Sequence, residues 1–185
     1  GYATSKLLQV QPQLIDQVSI CRMGGWNISR LLQEQPQFIN QLDIGKMDGY
    51  DIGELLQKQP HLLEYVGTDK MDGWEASELL QEQPQLIDQL DLSKMCGGDV
   101  SDLLLEQPHL INHVDIDKMN SWDTSELLGR QPQLIHQVGI SKVSSYQISG
   151  LLRIQPQLIN HIDVEKMGED DISYALKEQP QLIKY

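Results

Sequence analysis

The chain has 185 residues, 39% of them hydrophobic, a globular composition in which no apolar run is long enough to span a bilayer and no charged-then-apolar signal pattern stands at Gly1. Lys and Arg total 14 against 27 Asp and Glu, and the net charge of -13 repels phosphate backbones and anionic lipid, which weighs against nucleic acid and membrane as partners. Cys21 and Cys96 fall in different columns of the repeat described next, which argues against a disulfide between them in an extended stack.

Every proline (Pro12, Pro36, Pro60, Pro84, Pro108, Pro132, Pro156 and Pro180) follows a glutamine, and neighbouring prolines are 24 residues apart throughout. A fixed period of this size marks a solenoid of stacked repeats rather than a single-core globule. Trp122 to Val143 serves as the specimen. Its first element, from about Asp123 to Gln131, is predicted to be an α-helix, because Asp123 with Glu126, like Asp51 with Glu54, has capping-box spacing. Trp122 and Leu127 have the spacing of a hydrophobic staple, and Tyr2, Trp26, Tyr50, Trp74 and Tyr146 share the Trp122 column. These rings are therefore expected to clamp helix starts, with an exposed stacking ladder as the competing reading.

Gln-Pro is predicted to turn the corner into a second α-helix, since proline disfavours helical geometry in the residue before it and fits the first turn of a new helix. In "PQLIDQL", Leu86, Ile87 and Leu90 form the inward stripe of that helix. The next stretch, "DLSKM", starts at Asp91 and reads as one helical or 3-10 turn, with Gly97 placed to close it in the left-handed region.

Helices shorter than roughly 12 residues are marginal alone, so stability must come from stacking. Ile28, Leu31, Leu32, Phe38, Ile39, Leu42, Ile44 and Met47 are the core set of one repeat, and Met23, Met47, Met71, Met95, Met119 and Met167 share a column completed by Val143. The predicted fold is all-α: an α-solenoid, taken as a right-handed superhelix, of 24-residue repeats, each with two short α-helices joined at a Gln-Pro corner plus one short turn. It forms a single domain over residues 1–185, with repeat boundaries near 2, 26, 50, 74, 98, 122, 146 and 170.

The period and the mixture of a longer helix with short helical turns resemble the leucine-rich variant repeat, and that resemblance implies an all-helical solenoid. The core "LLQEQPQLI", Leu79 to Ile87, is similar to the helix-Pro-helix units of mitochondrial transcription termination factors. Those factors are basic nucleic-acid binders with longer repeats, and the leucine-rich variant prototype carries an iron-sulfur cluster in a cysteine-rich segment absent from this sequence. Neither family passes a function to any residue here.

Polar columns carry the remaining information. Gln35, Gln59, Gln83, Gln107, Gln131 and Gln155 each lie four residues after the first Leu of the "LL" pair, on the inward face, and are expected to form a ladder of amide bonds to backbone groups at the Pro corners or in the neighbouring repeat. On the second helix the residues one and five after Pro are expected to form an outward ridge: Gln37 with Gln41, His61 with Tyr65, Gln85 with Gln89, His109 with His113, Gln133 with Gln137, and Gln157 with His161. Hydrogen bonds and flat surface with little charge suit a protein or peptide partner.

His109 and His113 have metal-ligand spacing, yet no carboxylate completes the pattern, so no metal or other cofactor is expected. The basic column Arg22, Lys46, Lys70, Lys94, Lys118, Lys142 and Lys166 could track a phosphate backbone, but Asp43, Asp48, Asp72, Asp91 and Asp117 stand close enough for local pairing. No phosphate loop, nucleophile motif or singled-out carboxylate pair points to an enzyme. In "MCGGDV" Gly98 replaces the ring, and in "MGEDDI" Asp170 does, so looser joints are expected there.

The chain begins and ends inside the repeat pattern, which is expected of a piece of a longer array or of ends that stack on one another. The functional expectation is a non-catalytic scaffold that binds a protein or peptide through the Gln/His/Tyr ridge. End-to-end self-assembly is the alternative, and nucleic-acid binding through the Lys/Arg column the remote one.

Overall fold

The computed structural model describes residues 1–180 and Ile183, and the described chain is all-helical. Its α-helices are α1 (Tyr2–Val10), α2 (Gly25–Glu34), α3 (Gly49–Lys58), α4 (Leu63–Val66), α5 (Gly73–Glu82), α6 (Gly97–Glu106), α7 (Ser121–Arg130), α8 (Ile135–Val138), α9 (Ser145–Ile154) and α10 (Glu169–Glu178). The chain divides into two compact units, residues 1–95 and 96–185, and the division falls within "MCGGDV". In the first unit α1 packs on α2, α2 on α3 and α3 on α5; in the second α6 packs on α7, α7 on α9 and α9 on α10. Each unit is thus a stack of sequence-adjacent repeats.

The long helices start three residues earlier than the sequence predicts. Asp48 caps α3 by accepting from the Asp51 N–H at 2.9 Å, Asp72 caps α5 by accepting from Glu75 at 3.0 Å, and Asn120 caps α7 by accepting from Trp122 at 2.7 Å and Asp123 at 3.2 Å. Asp51 and Asp123 are the third helical residues, whose carboxylates reach back to the cap N–H. The glycines opening α2, α3 and α6 explain the shift. A Cβ on Gly49 would lie 2.5 Å from the Lys70 carbonyl and overlap the Glu75 carboxylate; Gly25 meets Lys46 and Asp51, and Gly97 meets Lys118 and Asp123, in the same way. At α2, α3 and α6 the following repeat presses against the first helical residue, and glycine leaves the room it needs. Gly97 therefore serves close approach, because positive φ among the glycines belongs to Gly67 and Gly139. Ser121 opens α7 instead, and its hydroxyl donates to Gln147, where other repeats carry a carboxylate.

Each long helix ends at its Gln-Pro corner. Gln59 keeps its N–H on the Leu55 carbonyl at 2.8 Å, yet its own backbone leaves the helix at φ -131°, ψ 64°, out of the region that Pro60 disfavours. The second element is not an α-helix in most repeats. Pro12–Gln17, Pro84–Gln89 and Pro156–His161 are 3-10 helices, and Pro108–Asn112 is a shorter one. α4 and α8 are the exceptions, and each is followed by a glycine, Gly67 at φ 65° and Gly139 at φ 71°. The same column holds Ser19, Asp43, Asp91, Asp115 and Asp163, all at φ between -80° and -86°. Only glycine tolerates the left-handed exit that lets the last turn close as α, so the residue after the element selects its helix type.

The Leu-Leu pairs and the Met column fill the interior: Leu55, Leu56 and Met71 in the first unit, Leu127, Leu128 and Met119 in the second, are buried, as is Val143 in the methionine column. Leu86 and Ile87 are buried too, whereas Leu90 is half-buried at the exit of its element.

Candidate partner-binding faces

Three ladders join successive repeats within each unit and decide which polar groups remain for a partner. In the glutamine ladder, the Gln59 side-chain Nε2 donates to the Gln33 carbonyl at 2.7 Å, Gln83 to Gln57 at 2.7 Å, Gln131 to Leu105 at 2.7 Å and Gln155 to Gly129 at 2.8 Å, with Gln35 on Gln9 at 3.3 Å. Each acceptor lies in the last turn of the preceding long helix, where carbonyls lack an intrahelical partner. Gln107 holds the same half-buried position.

The lysine ladder runs beside it. Lys46 donates to the Cys21 carbonyl at 2.7 Å, Lys70 to Gly45 at 2.6 Å and Met47 at 2.7 Å, Lys94 to Asp69 at 2.8 Å and Met71 at 2.9 Å, and Lys142 to Asp117 at 2.9 Å. Sequence reasoning gave these lysines local acidic partners. Lys46 does meet Asp43 at 3.6 Å, and Lys142 the Asp117 carboxylate at 3.0 Å, but the shared job of the column is to satisfy carbonyls one repeat back. The Lys166 side chain lies outside the described residues. In the third ladder, Ser29 donates to the Asp51 carbonyl at 2.8 Å and Ser101 to Asp123 at 3.2 Å.

All twelve ridge residues are exposed: Gln37, Gln41, His61, Tyr65, Gln85, Gln89, His109, His113, Gln133, Gln137, Gln157 and His161. Their roles divide. Gln37, Gln85, Gln133 and Gln157 donate through Nε2 to the Oε1 of Gln35, Gln83, Gln131 and Gln155 at 2.5–2.6 Å, so the position after Pro orients the ladder amide. The 3-10 winding of most of these elements also removes the i,i+4 register on which an even ridge depends, because 3-10 side chains eclipse at i+3. Stacking brings together two histidines that sequence spacing kept apart: His136 and His161 meet edge to face at 4.9 Å. They line a depression of about 390 Å³ with Gln133 and Gln157. Among the described residues no group of three His, Cys, Asp or Glu side chains is placed to hold a metal ion, and His109 with His113 remains a pair.

The aromatic column behaves differently from its predicted role. With the helix starts three residues earlier, Tyr2 sits at the first helical position and Trp26, Tyr50, Trp74, Trp122 and Tyr146 at the second, and all are exposed. Tyr2, Trp26, Tyr50 and Trp74 are all exposed in the first unit, and Trp122 and Tyr146 expose 72% and 75% of their surface in the second. The staple reading is therefore wrong; the rings do not cover the helix starts. Tyr2 and Trp26 stack, with centroids 6.3 Å apart and planes 16° from parallel, and the Arg30 guanidinium lies 5.2 Å from the Trp26 ring centre. Glu54, Glu75, Glu78 and Gln57 surround Tyr50 and Trp74. The charge of Glu54 pushes the Tyr50 hydroxyl above the usual phenol range, with burial adding to the effect.

In the second unit glycines stand between the rings on the same face. Gly129 and Gly150 stand on the outward face of α7 and α9, and a groove of about 530 Å³ opens over them, walled by Trp122, Tyr146 and Tyr174. Arg130, Arg153 and Glu126 lie along it, and Arg130 pairs with Glu106 at 3.8 Å. The outward period of the long helices carried the signal for this face, since residues four and seven after each ring fall on its side of the helix.

No described helix is long and apolar enough to cross a membrane. No protein-family model matches the chain, and no curated protein or solved structure matches it either.

Proposed function

We propose that the chain is a non-catalytic helical-repeat scaffold that binds an extended cationic segment of a protein or peptide partner along the aromatic row of its long helices. The observation that carries this reading is the exposure of the rings: Tyr2, Trp26, Tyr50 and Trp74 present flat apolar surface in register, one per repeat. Aromatic rings and arginines are the side chains that dominate protein interfaces, and ring faces attract guanidinium groups. The chain supplies an internal example in Arg30 over Trp26. Glu54, Glu75 and Glu78 beside the neighbouring rings, in a chain of net charge -13, complement a partner of positive charge. The Gln/His/Tyr ridge becomes the secondary face, because part of it is engaged with the glutamine ladder.

The period and the alternation of a longer α-helix with short helical turns support classing the repeat with leucine-rich variant units, which assign no ligand to these residues. Selection of short random displayed peptides on the purified chain tests the proposal. Enriched sequences should be rich in Arg and should lose binding when Tyr2, Trp26, Tyr50 and Trp74 are changed together to Ala. Enrichment that survives those changes, or no enrichment, would refute it.

A second reading, end-to-end association with another copy, is favoured by an apolar depression of about 150 Å³ over Ile159, Val164, Ile172 and Leu176 in the second unit. Light scattering over a dilution series tests it, since a mass constant at 21.1 kDa would dismiss it.

A further inference from the structure

Beyond the first turn, three helical glycines, Gly53, Gly129 and Gly150, are required neither by close approach nor by positive φ; Gly53 is buried in a column of serines, whereas Gly129 and Gly150 line a groove. Gly49 and its equivalents are forced by close approach, and Gly67 and Gly139 by positive φ. Gly129 and Gly150 are neither. Both are inside α-helices at negative φ; a Cβ on Gly150 would meet nothing within 4 Å, and one on Gly129 would make ordinary contact with Leu151 at 3.7 Å. Glycine in a helix destabilises relative to alanine, so the pair persists against the interest of stability. The columns say what is missing: Gln9, Gln33, Gln57, Gln81 and Leu105 precede Gly129, and Lys6, Arg30, Glu54, Glu78, Asp102 and Glu126 precede Gly150, every one a longer side chain. Deleting those side chains opens the groove of about 530 Å³ between Trp122, Tyr146 and Tyr174.

The same segment offsets the local negative charge, since Arg130 is paired with Glu106 and Arg153 stands apart. Two of the four arginines in the sequence, Arg130 and Arg153, line this groove against one carboxylate, Glu126, while the chain as a whole carries -13. Arg153 makes no ion pair among the described residues, and its column holds Gln or Leu in the repeats before Gly129. A guanidinium offers a planar fork that matches a carboxylate, and rings flanking an empty slot suit a flat side chain.

We propose that the Trp122/Tyr146/Tyr174 groove is an anchor site for an aromatic side chain flanked by acidic residues in a partner polypeptide, with Arg153 taking the carboxylate. This rests on the reading of the chain as a peptide-binding scaffold, but it uses none of the rings of the first unit and the opposite ligand charge, so the two can fail separately.

The test is titration of acetyl-Asp-Phe-Glu-amide, with acetyl-Lys-Phe-Lys-amide as the control, into the full ¹⁵N-labelled chain. The acidic peptide should shift the Trp122 indole N–H and the Gly129 and Gly150 amides and bind about tenfold tighter than the lysine peptide, one decade being a modest gain for a charge-assisted pair. Gly129→Gln with Gly150→Glu, which restores residue types found in the same columns and whose Cβ atoms meet at most the ordinary contact with Leu151, should abolish those shifts while leaving the rest of the spectrum in place. Arg153→Gln should weaken the acidic peptide about tenfold and leave the lysine peptide unchanged. Absence of shifts at millimolar peptide, equal binding of the two peptides, or full binding by the refilled variant would overturn the proposal, and each of these outcomes leaves the peptide selection on the first-unit rings as an independent result.

Discussion

At the scale of single residues, the polar side chains that join repeats matter more than their number suggests. Gln83 satisfies a helix-end carbonyl of the preceding repeat and accepts in turn from Gln85. Gln83→Leu leaves that carbonyl without a partner and is expected to lower stability by about 1–3 kcal/mol in urea denaturation. An unchanged midpoint would show that the ladder bond contributes nothing. Thr124 presents the reverse case. It is fully buried in a column that elsewhere holds Thr4, Ile28, Ile52, Ala76, Val100, Ile148 and Ile172, and its hydroxyl has no hydrogen-bond partner. Thr124→Val keeps the shape, removes the stranded hydroxyl and is expected to gain about 1 kcal/mol in the same assay; a loss would reveal a partner for the hydroxyl.

Asp51 gives a pH-dependent test. Burial, reinforced by the charge of Asp48, holds its carboxyl above the ordinary carboxylate range. A raised folded-state pKa means that its contribution to stability is fully present below the unfolded value of 3.8 and is lost as the pH rises through the folded value. Asp51→Asn should therefore be more stable than wild type at neutral pH and should lose that advantage below about pH 3, as read from melting curves across the range. A constant difference at every pH would remove titration of Asp51 as its cause.

At the scale of elements, glycines make opposite predictions according to what surrounds them. Gly49→Ala drives a methyl into the Lys70 carbonyl and the Glu75 carboxylate and is expected to cost about 1–3 kcal/mol. Gly150→Ala meets open space in mid-helix and is expected to gain about 0.5–1 kcal/mol. Equal effects at the two positions would undo the distinction on which the groove rests.

The elements also show what the sequence made legible. Period, corner and apolar columns were readable because helical spacing and the steric demands of proline act locally. Helix starts were misplaced by three residues because Asp51 and Asp123 look like caps in isolation; only the neighbouring repeat, pressing on Gly25 and Gly97, reveals that the helix has already begun. The error carried over to the rings, which a cap at Asp123 would tuck against the helix and a cap at Asn120 turns outward. The choice between 3-10 and α in the second element was written in plain view at Gly67 and Gly139, in a column whose other members are Asp and Ser. Reading it required knowing that the residue after the element, not the element itself, decides. The ridge residues are exposed, but the bond from Gln85 to Gln83 spans the Gln-Pro corner, where Gln83 has left the helix, and a helical register does not show it.

At the scale of the whole molecule, excess negative charge and open aromatic surface work together. Self-repulsion at a net charge of -13 opposes compaction and is screened by salt, so stability is expected to rise from low to physiological ionic strength, as measured by thermal melting. Binding of a cationic segment should move the other way, weakening as salt rises. The central claim is that a partner lies on the long-helix face. It is tested most directly by mapping an Arg-rich selected peptide onto the labelled chain. The account predicts shifts at the indole N–H groups of Trp26 and Trp74 with the side-chain amides of Gln41 and Gln89 unmoved; shifts at those glutamines with both indoles silent would place the partner on the ridge and contradict it.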